Sequence, residues 1–181
     1  MTGPLPEFPY HPDPLVTGFV EESEATCLSC NRSRGFIYTG PVYAADELTE
    51  SICPWCIADG SAAARFEAMF TDDQPIPEDV PAGVVKVVTT RTPGFGGWQQ
   101  EHWLYHCADG AAFLGVVGWA ELQSDPEALE TLRRENAGHG WSPEQVEGYL
   151  KALDKDGSPA AYLFKCRHCD ARLAYSDSDS D

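Results

Sequence analysis

The chain is poor in cations. Twelve lysines and arginines stand against 29 aspartates and glutamates in 181 residues, a formal net charge of −17. A surface of that sign repels the phosphate backbone, so direct nucleic-acid binding is not expected; the charge fits either a basic protein partner or plain solubility with no specific partner. No run of about 18 apolar residues is present, so no membrane span is expected. The opening Met-Thr-Gly-Pro-Leu-Pro-Glu lacks the basic region and apolar core of a secretory signal, and a cytoplasmic location is the expectation. Phosphate-binding signatures are missing too. Arg91-Thr-Pro-Gly-Phe-Gly-Gly97 is glycine-rich, but it has neither the G-x-G-x-x-G order nor the Lys-Ser/Thr ending of a P-loop.

Cysteine, by contrast, is prominent. In a reducing compartment, seven cysteines read as metal ligands or reactive thiols rather than disulfides, and the odd count sets one apart. Cys27-Leu-Ser-Cys30 and Cys53-Pro-Trp-Cys56 are separated by 22 residues. Each pair puts two sulfurs on one tight turn, and two such turns facing each other offer a tetrahedron of thiolates, the donor set of a Cys₄ zinc site. Such a closed site stabilises rather than catalyses, and with a net charge of about −2 it deepens the acidity of the chain. A second site would need two more donors for Cys166 and Cys169. Cys107, the unpaired cysteine, is the natural third and His106 or His102 the fourth, with His168 and His11 behind them. If residues 98–107 are helical, neighbours 106 and 107 point about 100° apart, so both reach one ion only where the helix ends, near Asp109-Gly110. Zinc is the expected cofactor.

With 43% apolar residues and an aromatic content of 11%, the chain can build a core, and a single small zinc-stabilised α+β domain over residues 1–175 is expected. Pro4, Pro6, Pro9, Pro12 and Pro14 exclude helix from residues 4–14, so residues 1–26 read as an extended arm lying across the domain. Residues 27–70 form a first knuckle module, with short extended pieces around Phe36-Ile-Tyr38 and Val42-Tyr43 and a helix opening at Pro54, weakened by Gly60. Val84-Val-Lys-Val-Val-Thr-Thr90 reads as a strand and residues 98–107 as a helix. Residues 91–175 form a helical part. Asp125-Pro126 caps one helix, and the capping box Ser142-x-x-Gln145 opens another that runs to about Asp154. Residues 160–175 read as strand, knuckle, strand, closing that part, and the acidic tail 176–181 as disordered.

Other chemistries fit less well. His106-Cys107 with Asp109, Arg91 and His102 contains the residue types of a cysteine nucleophile and its base, but catalytic partners meet in space rather than in sequence, and metal binding or packing accounts for these residues more simply. Cys53-Pro-Trp-Cys56 is similar to the redox motif of glutaredoxin-like proteins, but the upstream pair at zinc spacing favours metal. Arg91, Trp98, Gln99 and Trp103 could line a pocket with aromatic walls or, for the tryptophans, belong to the core.

Nearly the whole chain resembles the CbrC (UPF0167) family of small bacterial proteins. The likeness rests on Leu5-Pro-x-Phe-x-Tyr-His-Pro-Asp-Pro-Leu15 with Thr17-Gly18, both first cysteine pairs, Ile37-Tyr-Thr-Gly-Pro-Val-Tyr43 and Arg91-Thr-Pro-Gly-Phe95. It continues through Trp98-Gln99, Trp103, His106-Cys107, Asp109, Phe113-Leu-Gly115, Tyr162-Leu-Phe and Cys166-x-x-Cys169. The resemblance implies a phenotype, tolerance to a DNA-cleaving colicin, and no established reaction. Combined with the acidic charge, it gives an expectation of protein binding directed at a basic nuclease toxin. An enzyme using Cys107, His106 and Arg91, and a zinc-ribbon adaptor in transcription or translation, are the alternatives.

Overall fold

A computed structural model describes residues 4–179. The chain is α+β, with short helices around small antiparallel sheets. Among the described residues, no helix is long and apolar enough to cross a membrane.

The proline-rich arm lies across the body, with Phe8, Tyr10 and His11 buried. Its last proline does not prevent helix. Pro14 sits at the first position of α1, Pro14–Thr17, where its missing N–H has no role to lose, and the Asp13 carboxylate caps the Val16 amide. β1, Val20–Glu22, then pairs with β2, Phe36–Tyr38. α2, Pro54–Ala58, carries Pro54 at its first position, and the left-handed Gly60 (φ 79°) separates it from α3, Ser61–Phe66. Phe8, Ile37, Tyr38, Ile52, Ile57 and Phe70 pack with Cys27, Cys53 and Cys56 into the first core.

Two sequence expectations fail in the middle of the chain. Residues 84–90 are not a strand: α4 spans Ala82–Thr90. Val84, Val87 and Val88 recur at helical spacing and face the core, while Lys86 points outward. The β-branched content is offset by hydroxyls that donate to helix carbonyls, Thr89 to Val85 at 2.9 Å, Thr90 to Lys86 at 2.6 Å and Thr92 to Val87 at 2.8 Å. Residues 98–107 are not a helix. Their donors go to distant partners: the Trp98 indole to the Gly157 carbonyl, the Gln99 amide to Asp177, the His102 amide to the Tyr175 hydroxyl and the Trp103 indole to the Ala111 carbonyl. Only β3, Tyr105–His106, is regular, and it forms a hairpin with β4, Asp109–Gly110.

β5, Ala112–Val117, opens the main sheet. After α5, Trp119–Leu122, come α6, Pro126–Ala137, capped by Asp125, and α7, Pro143–Lys151, whose capping box joins Ser142 and Gln145. α7 ends before Asp154. β6, Ala160–Lys165, pairs with β5 on one side and with β7, Arg172–Asp177, on the other. Alternation along the strands divides the sheet into two faces. Phe113, Tyr162, Phe164 and Tyr175 join Phe95 and Trp103 in an aromatic core, with the Phe95 and Phe113 rings stacked at 4.2 Å. Ala161, Leu163 and Ala174 face Leu129, Leu132, Val146 and Leu150 of α6 and α7. The acidic tail is not disordered at its start. Ser176 and Asp177 belong to β7, and Asp179 bonds to Ser158; residues 180–181 lie outside the described residues.

Candidate metal centres

Two donor sets form, each with four ligand atoms within 4.8 Å of one another: Cys27, Cys30, Cys53 and Cys56, and His106, Cys107, Cys166 and Cys169. Local structure explains how. Cys27-x-x-Cys30 and Cys166-x-x-Cys169 fold into the same turn. In each, the first cysteine donates its amide to the carbonyl five residues on, Cys27 to Arg32 and Cys166 to Ala171, both at 2.9 Å. In each, the first sulfur accepts the amide two residues on, Ser29 at 3.3 Å and His168 at 3.4 Å. Each turn then meets a different second element. Cys53 and Cys56 flank the start of α2, with Cys53 as its N-cap residue. Cys107 sits in the two-residue turn between β3 and β4.

That turn removes the difficulty of neighbouring ligands at 106 and 107. His106 ends a strand and Cys107 and Ala108 both have positive φ, 54° and 57°, a primed hairpin turn that swings the Cys107 sulfur back beside the His106 ring. Neither residue is glycine or asparagine, the usual occupants, so about 1 kcal/mol or more of backbone strain is held at each by the surrounding structure. The spacing Cys-Ala-Asp-Gly looks like a helix end in sequence; only the tertiary contacts of residues 98–104 make it a hairpin.

The distances suit a tetrahedral ion. Zinc–sulfur bonds of about 2.3 Å imply sulfur–sulfur edges of roughly 3.8 Å, and zinc–nitrogen bonds of about 2.0 Å imply mixed edges of roughly 3.5 Å. Cys30 and Cys53 sulfurs are 4.0 Å apart and those of Cys107 and Cys169 are 3.9 Å apart, far beyond a disulfide bond. His106 Nδ1 lies 3.3 Å from the Cys107 sulfur and 3.6 Å from that of Cys169. All seven cysteines are free thiols. Both groups can therefore hold a metal ion.

The two centres differ in exposure. Cys27, Cys53 and Cys56 are buried in the first core, whereas Cys107 and Cys169 are exposed and only Cys166 is buried in the second set. The thiols respond accordingly. A hydrogen bond from Cys53, helped by backbone amides, holds Cys27 down to about 4, and Cys53 is pushed up in exchange. At Cys166, burial opposes ionisation, but the amides of His168 and Cys169 outweigh it and bring the thiol to about 6. Hydrogen bonding to Cys166 and Cys169 pushes Cys107 up to about 11. Sulfurs crowded this closely share protons; a dication among them replaces those protons.

The other residues singled out in the sequence are dispersed. Asp109 is no base for Cys107. Its carboxylate accepts from the Tyr10 hydroxyl at 2.6 Å and Arg167 at 3.0 Å and lies 2.6 Å from His168 Nε2. It thus ties the arm to the C-terminal knuckle. Arg91 lies elsewhere, against Gly60 at the start of α3, where a Cβ would come within 2.9 Å of its Nε. His102 stacks on Tyr175 at 3.8 Å, and His11 bonds to Pro93 and Thr17. Arg91, Trp98, Gln99 and Trp103 do not share a pocket: Trp103 is core, and Trp98 and Gln99 are occupied with Gly157, Asp177 and Ser178. Nothing in the sequence pairs Tyr10, Arg167 and His168 with Asp109. The only sequence signal for Arg167 and His168 is their place between two ligand cysteines.

The profile of the uncharacterised protein family UPF0167 matches residues 5–178. The chain belongs to the UPF0167 family. It is 53% identical over 174 residues to the UPF0167 protein Mb2317 of Mycobacterium bovis, covering 96% of this chain and 93% of that one. It is 46% identical over 171 residues to the UPF0167 protein PA1536 of Pseudomonas aeruginosa, covering 93% and 94%. No solved structure matches. The UPF0167 match spans both donor sets, from the arm to the end of β7.

Proposed function

We propose that this UPF0167 chain is a two-zinc protein that acts by binding a protein partner. The observation that carries the metal reading is the pair of complete donor sets, four ligand atoms each, at tetrahedral spacing. Sulfur-rich sets of this type select zinc among abundant divalent ions. Four protein ligands leave no open position for water or substrate, which makes both centres structural. The first ties β2, α2 and the first knuckle into one core; the second staples the β3–β4 hairpin to the β6–β7 hairpin. Cys107 then serves as a ligand, which disfavours its use as a nucleophile.

The partner proposed is basic. A net charge of −17 supports it, and bound zinc thiolates add to that charge. The resemblance stated above narrows it to a basic nuclease toxin, with surface carboxylates standing in for DNA phosphates. A zinc-ribbon adaptor remains compatible only if it contacts protein rather than nucleic acid.

Metal content per chain tests the first part. The expected result is two zinc ions in the full-length protein and one in Cys107→Ser; fewer than two in the unaltered protein overturns it. Association with a basic DNase toxin at low and high salt tests the second, and absence of salt-sensitive binding refutes it.

A further inference from the structure

The two centres share a ligand chemistry but not an environment. In the first, three of four cysteines are buried, and Cys27 accepts the amides of Ser29 and Cys53, both at 3.3 Å. Burial and N–H···S bonds both shield a thiolate from electrophiles. In the second, Cys166 is buried and accepts the His168 amide. Cys107 and Cys169 have neither protection: both are exposed, and no backbone amide donates to either sulfur among the described residues. They belong to two different hairpin turns, and their sulfurs are 3.9 Å apart.

We propose that Cys107 and Cys169 are a peroxide-oxidation site whose reaction releases the second zinc ion; this rests on the zinc reading of that centre. One thiolate attacks the O–O bond of hydrogen peroxide, forming a sulfenic acid and releasing hydroxide. The other thiolate attacks that sulfur, the S–O bond breaks, and a second hydroxide leaves. Two electrons pass from the sulfurs to peroxide, and the two hydroxides offset the charge of the released zinc ion or take protons from the buffer acid. The product is a Cys107–Cys169 disulfide. Zinc keeps only Cys166 and His106, and two of four ligands do not retain it against water.

The geometry makes this an exchange of one cross-link for another. Metal and disulfide join the same two turns, and the sulfurs need to close by roughly 1.9 Å to reach the bond length of about 2.05 Å. Strain already resides in the turn at Cys107 and Ala108, whose positive φ angles are held by the surrounding structure. The hairpins therefore stay together, the first centre keeps its ion, and a dithiol reductant with zinc restores the starting state.

The experiment uses the full-length, zinc-loaded protein. Zinc content is measured first, then stoichiometric hydrogen peroxide is added while released zinc is followed with a chromogenic chelator. The remaining thiols are blocked and the peptides mapped. The expected result is loss of one of two zinc ions, a Cys107–Cys169 cross-link, free thiols at Cys27, Cys30, Cys53 and Cys56, and unchanged far-ultraviolet circular dichroism. Oxidation at the second centre should outrun the first by on the order of tenfold or more. Parallel loss of both ions, a disulfide within the first centre, or no release at peroxide levels that oxidise free cysteine overturns the proposal. A protein that starts with an empty second centre fails before peroxide is added, and then the zinc reading itself is what is refuted.

Discussion

Protonating His11 should weaken the fold by a calculable amount. The ring is wholly buried, with Nδ1 2.7 Å from the Pro93 carbonyl and Nε2 2.7 Å from the Thr17 hydroxyl. A carbonyl only accepts, so Nδ1 carries the proton and Nε2 accepts from Thr17. Burial drives the imidazole down to about 4, against smaller pulls from Pro93 and Asp13 that favour the charged form. The unfolded chain titrates near 6.5, so below that pH it binds a proton that the folded chain refuses. Stability from this group is complete above about pH 6.5 and is lost as pH falls towards 4. Between about pH 7.5 and pH 5 the loss works out to about 2 kcal/mol. The assay is urea unfolding of the unaltered protein and of His11→Asn at both pH values. Acid also displaces protons onto metal ligands, but that contribution is common to both proteins and cancels in the difference. The gap between them, about 2–4 kcal/mol at neutral pH from lost packing against Phe113 and two hydrogen bonds, should shrink by about 2 kcal/mol at pH 5. A gap that stays constant, or widens, refutes the assigned tautomer and the neutral buried ring.

Three further outcomes follow from the same contacts. Asp109→Asn removes the charge that Arg167 and His168 face and weakens the Tyr10 bond, and should destabilise by about 2–4 kcal/mol; a thermal midpoint unchanged within error would show the arm-to-knuckle tie to be weak. Glu135, pushed up to about 7 by burial against smaller help from Ser176 hydrogen bonds, binds a proton in the folded state that the unfolded chain has lost, so its contribution falls as pH rises from about 4.5 to about 7. Glu135→Gln should therefore stabilise at pH 8 relative to the unaltered protein by about 1–3 kcal/mol and give no gain near pH 4.5, as read by denaturation at each pH. With zinc bound as proposed, Cys53→Ser removes a donor inside the first core, where metal binding on the order of 10 kcal/mol matches the whole stability of a domain, and should abolish folding, whereas Cys169→Ser at the exposed centre should retain native circular dichroism.

Much of this chain is legible without its structure because the signals are local. A proline after Cys53 starts a helix, Ser142 and Gln145 close a capping box, and the apolar runs around Cys166 and Cys169 make a hairpin with a knuckle at its tip. Each depends on residues within a few positions. The spacing of paired cysteines likewise picks out the first donor set, because two tight turns can hardly avoid offering four sulfurs to one point. The errors fall where distant partners override local preference. Val84 to Thr90 has strand composition, yet one face meets the aromatic core and its threonines satisfy helix carbonyls. Residues 98–104 have helical character, yet Gly157, Asp177 and Tyr175 take their donors.

By itself, then, the sequence determined the acidic charge, the family resemblance, the knuckles and the four cysteines of the first donor set, all properties of composition or short spacing, and it left the histidine of the second set open. Only the tertiary structure decided that His106 and Cys107 lie on a strained hairpin turn, that Asp109 serves the arm and knuckle rather than a nucleophile, and that one donor set is buried while the other is open to solvent. Those outcomes depend on contacts between residues 60 to 100 positions apart, such as Tyr10 with Asp109 and Cys107 with Cys169. Which of many such pairings forms is set by how the whole core packs, and that choice is not encoded in any short stretch.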